Sequence, residues 1–114
     1  MNNLNQKSIV LARVPFSNIT DYKIRPAIII SNNHYNKNHP DFWIVPLSSQ
    51  EKNKEFELEL DKKEIIKGNL DQKSFVRADV IATIEQELVL KEIGKVSDDF
   101  FKKIISRVQE NLKP

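Results

Sequence analysis

The sequence predicts a small, mainly β domain: a strongly bent sheet or barrel capped by a C-terminal helix. Three observations predict it. Five or six short runs rich in β-forming residues follow one another, separated by segments carrying Pro, Asn and Gly. A single stretch near the C-terminal end places its apolar residues at helical spacing. The chain has 114 residues, the length of one ordinary domain, so 1–114 is read as a single domain.

Ser8 to Val14 reads as the first strand, ended by Pro15. Phe16 to Lys23 is a polar loop. Pro26 starts a second strand over Ala27 to Ser31, whose Ile28-Ile29-Ile30 run predicts burial on both faces. Asn32 to Pro40 is a loop or short helical turn. Phe42 to Leu47 is a third strand, with Phe42 and Trp43 expected in the core. Phe56-Glu57-Leu58-Glu59-Leu60 alternates strictly, which predicts a strand with one wet face. Gly68 and Gly94 are expected at turns. Ser74 to Ile84 is β-branched and holds one or two short strands. The last element is a helix over about 97–112, with Ser97 as N-cap and Asp98 and Asp99 in the first turn. Phe100, Phe101, Ile104, Ile105, Val108 and Leu112 form its apolar stripe. Arg107 falls on its solvated side.

Composition narrows the function classes. Hydrophobic residues make up 39% and charged residues 30%, enough apolar matter for one core and too much for a disordered chain. No apolar run reaches the roughly 18–20 residues of a membrane helix, and Met1 to Lys7 lacks the apolar region of a secretory signal. There is no cysteine. Disulfides, thiolate nucleophiles, thiolate zinc sites and iron–sulfur clusters are therefore excluded, and a cytoplasmic location is expected. With only two glycines there is no glycine-rich phosphate cradle. The net charge of +2 is too small to argue for nucleic acid from bulk charge alone.

Three places carry candidate chemistry. Arginine is scarce here, limited to Arg13, Arg25, Arg77 and Arg107, so each one is informative. Arg25 precedes Pro26 and is pushed towards extended geometry. There it can grip a phosphate in bidentate fashion or bridge to Asp21 or another acid; taken alone, the salt bridge is the simpler reading. Ser48 and Ser49 follow the third strand, where their hydroxyls can donate to phosphate oxygens or start a turn. In Arg77-Ala78-Asp79, strand alternation sets the two charged side chains on one face, as a structural ion pair or an acid–base couple. His34 and His39 lack a third ligand at useful spacing and are read as surface residues, so no metal site is expected.

These residues sit in segments that together resemble the MazF/PemK family of toxins from type II toxin–antitoxin modules. The matching segments are Ile9-Val10-Leu11-Ala12 with Pro15-Phe16-Ser17, Lys23-Ile24-Arg25-Pro26-Ala27-Ile28-Ile29-Ile30-Ser31-Asn32 with Tyr35-Asn36, and Ile44-Val45-Pro46-Leu47-Ser48-Ser49-Gln50. Ser74-Phe75-Val76-Arg77-Ala78-Asp79 with Thr83-Ile84, and Gly94 to Asp99 with the closing helix, complete the order. The resemblance implies an SH3-like small β-barrel of the CcdB/MazF/Kid type and a homodimer. It also implies a metal-independent endoribonuclease, without cofactor, that cuts single-stranded RNA at short motifs by attack of the RNA's own 2′-hydroxyl. A cognate antitoxin would neutralise it.

By the same resemblance Arg25, Ser48, Arg77 and Asp79 are catalytic, and Ser17, Asn18, Lys23, Ser49 and Gln50 contact RNA. The chain departs from the family pattern in three places, one of them Ser48, which stands where threonine is usual and keeps the hydroxyl. Lys7-Ser8 stands where Gly-Asp is common, and Asn18-Ile19-Thr20-Asp21-Tyr22 replaces a loop that usually carries glycines and often Glu-Gln or a histidine. Two alternatives stay open, a CcdB-like gyrase-poisoning toxin and a non-catalytic RNA- or protein-binding relic. The four candidate catalytic residues together favour the ribonuclease, because a gyrase binder has no need of them all.

Overall fold

A computed structural model describes residues 4–14 and 23–114. Its elements are β1 (Ser8–Val14), β2 (Lys23–Ile29), α1 (Asn33–Asn38), β3 (Asp41–Ser48), β4 (Glu57–Leu60), β5 (Ile65–Gly68), β6 (Ser74–Arg77), β7 (Ala82–Glu85), β8 (Val89–Val96) and α2 (Asp98–Glu110). The strands pair antiparallel in the order β4-β6-β3-β2-β1-β8-β5, with β7 also on β3. The sheet curls into a half-barrel with α2 against one face, in keeping with the mainly β class that the sequence predicts.

Among the described residues eight strands stand where five or six were expected. The unforeseen ones are β5 and β8. β5 is a four-residue edge strand, largely exposed. β8 carries Lys91, Glu92 and Lys95, and its ladder with β1 shifts register twice. Each shift breaks the period-2 pattern by which a strand is recognised.

The sheet has a core on each face. Beneath α2 lie Ile9, Ile28, Val45, Leu47 and Val76, packed with Phe100, Ile104 and Val108. The opposite face buries Val10, Ala12, Val14, Ala27, Ile29, Phe42, Ile44 and Ile84. Ile28 and Ile29 therefore point to different cores, as the triple-isoleucine run predicted. Ser97 caps α2, its Oγ accepting from the Phe100 amide at 3.1 Å. Leu112 does not join the stripe. It lies beyond the last helical residue and is 73% exposed. Arg107 is not simply solvated, because its Nη1 donates to the Glu55 carbonyl at 2.6 Å and tethers α2 to the start of β4. Trp43 is 44% exposed rather than core, although Phe42 is buried as expected. It points to the helix-side face where α2 does not reach, and meets Tyr35 edge-on at 5.6 Å.

The second strand begins at Lys23, four residues before the expected Ala27, so Arg25 is a strand residue. The hydrogen-bond parity explains how Pro26 is tolerated inside it. Ile30 donates its N–H to the Trp43 carbonyl on β3, so even-numbered residues of β2 direct their N–H towards β3. Pro26 belongs to that set and has no N–H to give. The β2–β3 ladder accordingly ends at Ala27↔Pro46, while the β1 ladder continues past Pro26 to Lys23.

Gly68 and Gly94 were expected at turns, but they face each other across the β5–β8 ladder. Gly68, at φ +77°, closes β5, and Gly94 lies buried within β8. A Cβ on Gly68 would meet the Ile93 carbonyl oxygen at 2.1 Å. Gly68→Ala therefore combines backbone strain with a clash against main chain and is expected to destabilise the fold by about 1–3 kcal/mol. Thermal melting checks this; an unchanged melting temperature would contradict the close approach of the two strands.

Candidate active site

The site is laid out by the registers of four strands. Glu57 pairs with Arg77 between β4 and β6. Leu47 pairs with Val76 between β3 and β6, which sets Pro46 level with Arg77, and Pro46 pairs with Ala27 on β2. One row across the sheet thus reads Ala27, Pro46, Arg77, Glu57. The next row contains Ser48, Phe75 and Glu59, and the β2–β3 count continued two residues past its last pair sets Arg25 beside Ser48. Side chains alternate between faces. Because Ile28, Leu47 and Val76 point under α2, these rows point away from it. Arg25, Ser48 and Arg77 share that face.

Arg25 is exposed and forms no ion pair among the described residues. Its proposed partner Asp21 lies outside them, as do Ser17 and Asn18. Lys23, at the start of β2, is exposed and level with Val14 of β1. Ser49 and Gln50 are exposed in the bend after β3. Ser48 closes β3, and its hydroxyl is engaged within that bend: Oγ donates to the Gln50 carbonyl at 2.9 Å and accepts from the Gln50 amide at 3.1 Å. The turn-forming role of the serine is therefore realised. To donate to a phosphate, the hydroxyl must exchange the Gln50 carbonyl for the ligand.

Arg77 and Asp79 do meet, but not through strand alternation. β6 ends at Arg77, and a turn follows in which the Val80 amide donates to the Arg77 carbonyl. The turn brings the carboxylate back against the guanidinium. Nε donates to Oδ1 at 3.2 Å and Nη2 to Oδ2 at 3.0 Å, a bidentate pair. The two side chains are 27% and 26% exposed, so the pair opens to solvent. The hydrogen bonds from Arg77 hold the Asp79 carboxyl below its ordinary range, against partial burial, which acts to raise it. The same hydrogen bonds raise Arg77, with burial opposing and the charges of Asp79 and Glu57 adding. Asp79 is thus ionised throughout the neutral range, and Arg77 keeps its Nη1 free of both carboxylates.

One residue near this pair escaped the sequence reading. Glu57 is not on a wet face; its side chain is 1% exposed. Its Oε1 accepts the Lys52 amide at 3.0 Å, and its Oε2 stands 3.4 Å from Arg77 Nε. The signal was its place in the alternation two residues from Glu59, which is 44% exposed at the side chain and bridges to Lys73. The strand period assigns both carboxylates to one face. The segment folding back over Glu57 to reach it with the Lys52 amide has no periodicity to announce it. His34 and His39 are exposed, as expected, and His39 stacks on Tyr35 at 4.0 Å. Among the described residues no three His, Asp or Glu side chains gather as a metal-ligand set, and no helix is long and apolar enough to cross a membrane.

Comparison with known proteins follows the same lines. No curated protein matches the chain in sequence. Among solved structures it is similar to MazF from Deinococcus radiodurans, with TM-score 0.79 and 18% identity over 98% of each chain. It is also similar to an endoribonuclease from a mycobacterial species, with TM-score 0.77 and 20% identity over 98% of this chain and 93% of that one. A third likeness is to a mycobacterial endoribonuclease solved in complex with its cognate antitoxin, with TM-score 0.77 and 17% identity over 96% of this chain and 94% of that one. These identities carry the fold. The family is carried by the sequence pattern of the PemK-like, MazF-like toxin of type II toxin–antitoxin systems, which matches residues 5–112. From β1 to the end of α2, the chain belongs to the PemK-like, MazF-like toxins of type II toxin–antitoxin systems.

Proposed function

We propose that the chain is a toxin endoribonuclease that cleaves single-stranded RNA at short sequence motifs. It acts without a metal, as a homodimer in the cytoplasm, and is neutralised by a cognate antitoxin laid along the same face. The observation that carries this is the bidentate Arg77–Asp79 pair on one face of the sheet with Ser48 and the exposed Arg25. The nucleophile, the 2′-hydroxyl, belongs to the RNA. Asp79 takes its proton as O2′ bonds to phosphorus. The P–O5′ bond breaks, and the departing 5′-oxygen takes a proton from water. A 2′,3′-cyclic phosphate and a 5′-hydroxyl remain, and Asp79 returns its proton to solvent. Arginine does not give up its proton at any useful pH, so Arg25 and Arg77 hold and neutralise the phosphate while Ser48 donates to an oxygen on which charge develops. Lys23, Ser49 and Gln50 flank this path, and the family resemblance assigns Ser17 and Asn18 to it. A gyrase poison has no use for these groups together.

The direct test is cleavage of a long single-stranded RNA in EDTA, with fragment ends mapped by sequencing. Discrete fragments ending in cyclic phosphate are expected from the wild-type chain and none from Arg25→Ala. Arg25→Lys should also fail substantially, because a point charge does not replace the planar fork. Full activity in Arg25→Ala would remove this residue from the site.

Ser48→Ala should slow cleavage by about two to three orders of magnitude, the effect of losing an oxyanion donor, and Ser48→Thr should remain active. Normal cleavage by Ser48→Ala with loss in Ser49→Ala would move the donor one residue along.

Asp79→Asn should lower the single-turnover rate by about 10²- to 10⁴-fold while the melting temperature stays near wild type, since the pair is partly exposed. Because Arg77 lowers the Asp79 pKa, the base stays ionised as the solution is acidified. The rate should therefore hold through mildly acid pH and fall only below about 3.9, the ordinary aspartate value. A limb above that value, absent from Asp79→Asn, would contradict the pairing.

A further inference from the structure

We infer that Glu57 is a positioning residue for cleavage: it holds Arg77 in place at the moment Asp79 takes up the 2′-hydroxyl proton. This rests on the base role proposed above for Asp79. Glu57 is the strand-register partner of Arg77, and its side chain is almost wholly buried. Oε1 has a partner in the Lys52 amide, but buried Oε2 accepts no hydrogen bond. A buried carboxylate oxygen without a donor is costly. The nearest candidate is Arg77 Nε, 3.4 Å away, whose one proton is directed at Asp79 Oδ1. Two carboxylates thus face one N–H, and only one of them is served.

The imbalance has a use during turnover. While Asp79 is an anion, it holds the guanidinium through both of its oxygens. Once it accepts the proton it becomes a neutral acid, and the charge that anchored Arg77 is gone. Without a second anchor the guanidinium would be free to shift just as negative charge accumulates on the phosphorus oxygens. Glu57 supplies that anchor: Nε–H turns to Oε2, the buried oxygen gains its donor, Nη1 stays directed at the phosphate, and Nη2 is released by Asp79 to join it. Glu57 is itself fixed from two sides, by the Lys52 amide and by Arg107 of α2, whose Nη1 lies 3.4 Å from the Glu57 carbonyl. Among the described residues this face also carries Glu59 with Lys73 in the next row, and Arg25 and Lys23 of β2. Among the described residues none of these pairs with Arg77, whose acidic partners there are Asp79 and Glu57.

Two substitutions separate this role from a purely structural one. Glu57→Gln keeps the length and the acceptor for the Lys52 amide but removes the charge. Glu57→Asp keeps the charge but shortens the reach to Lys52. If Glu57 anchors Arg77 electrostatically, Glu57→Gln lowers kcat by about 10- to 100-fold, as expected for losing one charge-assisted hydrogen bond in the transition state. KM should stay within about twofold, and Glu57→Asp should be the more active variant. If Glu57 only holds the loop, the ranking reverses, and the loss appears in melting temperature and in the fraction of active molecules instead of the rate per active molecule. That outcome would overturn the inference. Should neither variant fold, NMR on the wild-type protein decides. As Asp79 is titrated with acid, the Arg77 Nε–H signal is expected to persist while the Glu57 carboxyl carbon shifts. Loss of that signal to solvent exchange at the Asp79 midpoint would overturn the inference. Asp79→Asn serves as the separate control. Wild-type cleavage by that variant defeats the base role itself, whereas a slow Asp79→Asn beside an unaffected Glu57→Gln defeats only the anchor.

Discussion

The constraint on which the structure depends is that β3 must satisfy two edges with three strands. On one edge it pairs with β2 through Ile44 to Pro46. On the other it pairs first with β7, through Asp41 to Ile44, and then with β6, through Leu47 and Ser48. The handover falls at Val45 and Pro46. By the hydrogen-bond parity that Ile30 and Trp43 establish, even-numbered residues of β3 direct their N–H at the β7/β6 edge, and Pro46 has none. A proline is buried in the middle of a central strand because it sits where one neighbour has left and the next has not begun. The same handover lets the sheet turn sharply enough to carry β6 and β4 around, which puts Arg77 and Glu57 in line with β3. The candidate site stands at a change of strand partners, where main-chain pairing is least continuous.

Within the site, the energetics turn on one guanidinium. Arg77 has more acidic oxygen near it than it has N–H directed there. Asp79, partly in solvent, takes both available bonds, while Oε2 of buried Glu57 is left with an ion pair and no hydrogen bond. A minimum-energy arrangement of isolated groups would serve the buried acceptor first, since water can satisfy the exposed one. The turn at Arg77 to Val80 fixes Asp79 so closely that it prevails. Local chain geometry overrides the desolvation preference, and the cost is held in the folded state instead of being relaxed away.

Much of this was legible in the sequence, for identifiable reasons. The C-terminal helix announced itself through Ser97, the two aspartates and a 3.6-period stripe. β1, β3 and the isoleucine run of β2 announced themselves through β-branched residues between breakers. The pairing of Arg77 with Asp79 was also visible, although a turn and not strand alternation produces it. Other features were hidden for physical reasons. β8 is bulged and mixed in charge, so it has no clean period. Gly68 and Gly94 looked like punctuation, whereas they permit two paired backbones to approach closely, a property of a pair of positions and of neither alone. Trp43 and Glu57 exchanged their expected environments. Burial in a curled sheet depends on which face the helix and the loops cover, and residue type does not encode that cover. The assignment of Arg25 and Ser48 came from family resemblance; their own local sequence favoured a salt bridge for the one and a turn for the other.

Pro26 has a consequence for how the chain finds its alignment. The stretch Ala27-Ile28-Ile29-Ile30 is close to self-similar under a two-residue shift, which would keep isoleucine facing both cores and leave apolar packing little to choose between alignments. Pro26 breaks that degeneracy. Sliding β2 by two residues to bring Pro26 opposite Val45 would place it where β3 requires an N–H, and a buried carbonyl would go without a donor. Sliding it the other way would pull Ser31 away from Asn36 and the Trp43 amide, which it now serves from a buried position. One imino acid and one hydroxyl therefore act as the end stops of a ratchet on an otherwise slippery strand. The arginine next to the imino acid inherits its exact position along the sheet from a hydrogen bond that the chain is unable to make.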